Sequence, residues 1–111
     1  FMFETFYFID KYKRFLMDME NTEPTVEMTD ENGELIVKEL AKEYLTKGAW
    51  QTIMFLYQEK DPKTGDFAEP KVSIRRYQKY QGVMKQRSKF NVSNKAQAEA
   101  MIAIFKKWYE I

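Results

Sequence analysis

A chain of 111 residues with 44% hydrophobic and 16% aromatic content has the material for one small domain, or one domain plus an arm. Eighteen Lys and Arg against 17 Asp and Glu leave a net charge of +1, and there is neither cysteine nor histidine. Those absences remove disulfides, thiol nucleophiles, thiolate metal sites and the usual general base near neutral pH, so the expectation is a binding protein without metal or cofactor, not an enzyme.

Phe3, Phe6, Tyr7, Phe8, Tyr12, Phe15 and Leu16 make residues 1–17 an aromatic arm, either a short amphipathic helix or a docked strand. Glu4, Asp10, Lys11, Lys13 and Arg14 interrupt it, so it reads as neither a membrane span nor a secretory leader. We expect 1–16 to come from an over-extended reading frame or to be a dispensable appendage. Residues 18–34 carry seven acids and no base, together with Pro24, Asn32 and Gly33. This segment reads as a linker or solvated tail; the alternative is an acidic arm that competes for a basic face. The expected division is therefore an arm over 1–33 and a domain over 34–111.

ELIVKELAKEYL (34–45) is ambiguous, because Ile36, Leu40 and Tyr44 suit a helix while Leu35, Ile36 and Val37 suit a strand. Lys47-Gly48 ends that element. AWQTIMFLYQEK (49–60) is rich in strand formers, and DPKTGDFAEP after it is a loop or long hairpin connection. In KVSIRRYQKY (71–80), Val72 and Ile74 point one way with Arg76, while Lys71, Ser73, Arg75, Tyr77 and Lys79 point the other. Gln81-Gly82 is a turn. In VMKQRSKFNVS (83–93), strict alternation puts Met84, Gln86, Ser88, Phe90 and Val92 on one face and Lys85, Arg87, Lys89 and Asn91 on the opposite one. A helix follows over 95–110, with Asn94 or Ser93 as its cap and Gln97 as the capping-box partner. Ala98, Met101, Ile102, Phe105, Trp108 and Tyr109 form its apolar stripe. Ala100, Ile104 and Ile111 lie off that stripe, and we read this excess as a subunit contact.

Between Pro70 and Ala98 there is no acid but there are eight Lys or Arg, an uncommon run for a plain solvated sheet face. Lys71, Arg75, Lys79, Lys85, Arg87 and Lys89 would cover a patch some 15 Å long, with Tyr77 placed to stack on a base. Lys95 belongs to the start of the helix. That pattern points to single-stranded nucleic acid in preference to duplex, which usually needs a helix or ribbon in the major groove. Tyr57 is a weaker stacking candidate, and Trp50 and Trp108 are expected in the core. The rival reading is a protein-interaction module whose basic sheet docks an acidic partner, such as a transcription or replication protein.

KVSIRRY followed by GVMKQRSKFNVS resembles the positive-cofactor-four family of transcriptional coactivators and its small bacterial and phage relatives. Ile74-Arg75 and Tyr77 match the first part of the family pattern. Lys85, Arg87 and Lys89 stand for its basic turn, and Phe90-Asn91-Val92-Ser93 for its last strand. The resemblance spans roughly 34–111. It implies an α+β fold in which a four-stranded antiparallel sheet precedes a C-terminal helix (ββββα). It also implies a homodimer joined partly through helices, with single-stranded DNA held across the sheets. The long loop 61–70, Lys89 before the last strand, and the segments 1–16 and 18–34 depart from the family. A cytoplasmic, nucleoid-associated protein is the corresponding expectation.

Overall fold

The computed structural model describes residues 23–111. The aromatic arm lies outside the described residues, as do the first five residues of the acidic segment. Over the described residues the fold is α+β: one antiparallel sheet of five strands, then one helix. The strands are β1 (Met28–Thr29), β2 (Leu35–Thr46), β3 (Trp50–Glu59), β4 (Lys71–Tyr80) and β5 (Val83–Val92), each paired with the next. The helix is α1 (Lys95–Tyr109). Sequence reading gives four strands; the fifth comes from within the acidic segment. Asp30 closes the β1–β2 turn, its Oδ1 accepting from the amides of Asn32 at 2.8 Å and Glu34 at 2.9 Å. The expected boundary between 33 and 34 therefore runs through a hairpin of the domain.

The ambiguous stretch 34–45 is a strand. Its pairing with β3 skips one residue between Glu39 and Ala41 and another between Tyr44 and Thr46. Leu40 and Leu45 are the extra residues, and both are exposed. Such bulges interrupt period two, which explains why the apolar spacing looked partly helical. At the other side of the sheet, Gln81 and Gly82 both adopt positive φ, at 50° and 79°. That is the backbone of a two-residue turn whose twist matches a β-hairpin, here joining β4 to β5.

Residues directly opposite across a ladder share a face. Ile53, Phe55 and Tyr57 of β3 oppose Arg75, Ser73 and Lys71 of β4, and this is the inner face of the curled sheet. The core is Val26, Ile53, Phe55, Tyr57 and Tyr77, with Val37, Tyr44 and Met84 packed against it. A strap, residues 23–27, crosses this face. Val26 plugs into the core, and Lys42 Nζ donates to the Pro24 carbonyl at 2.9 Å and pairs with Glu23 at 3.2 Å. Thr25 Oγ1 donates to Glu39 Oε1 at 2.6 Å. The segment expected to be a linker is thus part of the packed domain from Glu23 onward.

The outer face is zoned. Met54, Ile74 and Phe90 form one cross-strand row, and Leu56, Val72 and Val92 form a second. Trp50, Arg76, Gln78, Tyr80 and Lys85 occupy its other end.

The Asn94 side chain caps α1 by accepting from the Gln97 amide at 2.8 Å, while Gln97 Oε1 accepts from the Ser93 amide at 2.6 Å. No residue of α1 is buried. Its apolar stripe is not sealed against the sheet, and Trp108 is 73% exposed where a core position was expected. Trp50, also expected in the core, is 40% exposed. Among the described residues no helix is long and apolar enough to cross a membrane.

Candidate nucleic-acid interface

The β4–β5 hairpin carries seven cations and no acid from Lys71 to Val92. Strict alternation along β5 would bring Lys71, Arg75, Lys79, Lys85, Arg87 and Lys89 to one face. The ladder divides them. Arg75 opposes Lys89 and Arg76 opposes Ser88, but Tyr77 then opposes Gln86, so Arg87 is an extra residue in β5. The bulge reverses the parity of everything between it and the turn. Lys71, Arg75, Lys79 and Lys89 share the inner side with Met84, Gln86 and Asn91. Lys85 falls on the outer side with Arg76, because it opposes Gln78. Arg87 joins them, its Nε donating to Gln78 Oε1 at 3.0 Å. The grouping of Met84 with Phe90 and Val92 fails for the same reason.

Tyr77 is corrected more sharply. It is on the face that carries Arg75, as expected, but that face is the core side and Tyr77 is only 6% exposed. Tyr57 is buried beside it. Neither ring offers a free surface for a base. Burial pushes both phenols above their usual values. For Tyr57 the Glu59 carboxylate adds to the rise and Arg75 opposes it. For Tyr77 the neighbouring Arg75 guanidinium is the main opposing influence.

Arg75 is held in place. Its Nε donates to Ser73 Oγ at 3.1 Å and its Nη1 donates to Gln86 Oε1 at 3.1 Å. Ser73 is fully buried and its hydroxyl donates in turn to Asn91 Oδ1 at 2.7 Å. This chain fixes one guanidinium at the margin of the inner face, where it has no carboxylate partner among the described residues. The acidic strap does not neutralise the hairpin. Its ion pair is with Lys42 of β2. Burial works against the charge on Lys42, but the hydrogen bond it donates to the Glu23 carboxylate and the charges of Tyr44, Glu39 and Glu23 more than offset it and raise its pKa.

Sequence reasoning passed over the outer-face end of the hairpin. The Arg76 guanidinium lies 4.5 Å from the centroid of the Trp50 ring, and Lys85 Nζ lies 4.9 Å from that of Tyr80. Tyr80 is 48% exposed, so both rings are open to solvent. Arg76 and Tyr80 share parity along β4 and were legible as a pair. Trp50 was not, because its place opposite Gln78 depends on the register across the 60–70 loop. The predicted contact residues Ala100, Ile104 and Ile111 of the C-terminal region are all exposed.

Among the described residues no cluster of acids is placed to hold a metal ion. Comparison with family models, with curated proteins and with solved structures finds no match to this chain.

Proposed function

We propose that this protein binds single-stranded nucleic acid, with little sequence preference, through the β4–β5 hairpin, and that it does so as a homodimer. One observation carries the reading. Seven cations sit on a 22-residue hairpin devoid of carboxylates, and among the described residues none is in an ion pair. Like charges on neighbouring strands repel and cost stability, which a polyanion relieves. Lys71, Arg75, Lys79 and Lys89 serve the inner face of the hairpin, and Arg76, Lys85 and Arg87 the outer, so a flexible phosphate backbone can wrap the β5 edge from one to the other. A duplex is too stiff to follow both faces.

The dimer reading rests on α1. Ile102, Ile104, Phe105, Trp108 and Tyr109 are exposed along it, and Ile111 follows just beyond its end. A second subunit is the simplest cover for so much apolar surface in so short a chain. The resemblance to the positive-cofactor-four family agrees with both parts of this proposal.

The test is titration of a fluorescein-labelled oligonucleotide with the full chain, followed by anisotropy. Saturable binding of the single strand is expected. A flat signal at low salt overturns the proposal.

A further inference from the structure

The structure assigns the base-stacking role to a platform on the outer face, made by Trp50, Arg76, Tyr80 and Lys85, and not to Tyr77. This inference rests on the nucleic-acid reading above and specifies where bases would sit.

Stacking needs an exposed ring with a cation near it, because the base brings a π-face and the backbone brings negative charge. Among the described residues Trp50 and Tyr80 meet that condition with a cation within 5 Å, and both belong to one end of one face; Phe67, with Lys38 at 5.8 Å, is a third such ring but stands apart, bridged to Lys60. Trp50 opposes Gln78, so Arg76 and Tyr80 are its two diagonal neighbours on β4, each about 7–8 Å away between Cα atoms. Arg76 turns to Trp50 and Lys85 to Tyr80, so each ring already has its cation in contact. Arg87, tethered to Gln78, adds a third positive group beside the pair. By register the nearest acid of this face on β2 is Glu43, which opposes Met54. That is four residues along β3 from Trp50, roughly 14 Å. The platform is therefore aromatic, cationic and remote from the carboxylates of its own face. Tyr77 has Arg75 beside it but no exposed face, because a base would have to open the core to reach it.

The geometry suits two bases, one on each ring, with their phosphates toward Arg76, Lys85 and Arg87. Recognition by ring faces and charges alone reads no base edge, so it accepts any sequence.

The test uses the full chain carrying Trp108→Phe, which leaves Trp50 as the single indole. An oligothymidylate about 20 nucleotides long is titrated while Trp50 emission and the anisotropy of the labelled strand are both followed. Trp50 emission is expected to be quenched in step with binding. Trp50→Ala and Tyr80→Ala are each expected to weaken binding about fivefold or more, Trp50→Phe to weaken it less than Trp50→Ala, and Tyr77→Phe to leave it unchanged. Both platform rings are exposed, and circular dichroism checks that the alanine variants fold. Binding by anisotropy with unchanged Trp50 emission, and with both alanine variants within about twofold of wild type, overturns the platform and leaves the function standing. Absence of any binding by the unsubstituted chain overturns the function, and the platform with it.

Discussion

Val26→Ala tests whether the strap belongs to the domain. Val26 is buried against Ile53, Phe55, Tyr57 and Tyr77, and is the only strap residue in the core cluster. The substitution removes two methyl groups, at about 0.8 kcal/mol each for transfer to water, and leaves a small cavity that raises the loss to about 2 kcal/mol. For a domain of this size that is a fall of roughly 10 °C in melting temperature. Val26→Asp would bury a carboxylate beside Phe55 with no cation in the core cluster, and several kilocalories would be lost or the strap would detach. Glu23→Gln supplies the contrast. The Glu23 side chain is 74% exposed, so its pair with Lys42 contributes less than about 1 kcal/mol. Urea titration with tryptophan emission and circular dichroism recorded together measures all three. Val26→Ala within about 0.5 kcal/mol of wild type would show that the strap is not packed, and the linker reading of 18–34 would return.

Stability should fall as pH rises above 10.0. Tyr57, Tyr77 and Lys42 all have raised values in the folded state, against 10.0 for free tyrosine and 10.5 for free lysine. Each group therefore keeps its proton in the fold after the unfolded chain has lost it, and that advantage disappears as pH rises through the raised values. Melting temperatures that hold steady or climb between about pH 10 and 11 would contradict this, and Tyr77→Phe should flatten the fall. Ile104→Asp together with Ile111→Asp should halve the mass seen by sedimentation without loss of circular dichroism, since both positions are exposed. A wild-type chain that sediments as a monomer at high micromolar concentration would refute the dimer.

The order of elements from β3 onward was legible in the sequence because local chemistry specifies it. Ile53, Phe55 and Tyr57 made β3 unmistakable, Gln81-Gly82 made the turn, and Asn94 with Gln97 made the helix start. The sides of the sheet were less legible. Alternation within β4 correctly separated Arg76 from Arg75, yet the side of Arg75 and Tyr77, expected to be the open binding face, is the core side, because both faces of β3 are apolar and only the curl decides which one closes. The bulge at Arg87 is a property of two strands together, so no reading of β5 alone could find that Lys85 and Arg87 leave the side of Lys89. Leu40 and Leu45 disguised β2 in the same way. Val26 lay hidden in a run of acids, one valine whose burial depends on a strap geometry that only the assembled sheet defines.

The salt dependence of single-strand affinity tests the central claim most directly. Each phosphate contact on a single strand contributes about 0.7 to the slope of log affinity against log salt, so full engagement of the seven hairpin cations gives a slope near −5 and engagement of one face gives about −2 to −3. The account predicts a slope within that range for an oligothymidylate, together with weaker binding of the matching duplex. A slope near zero, or a duplex bound as tightly as the single strand, would contradict it.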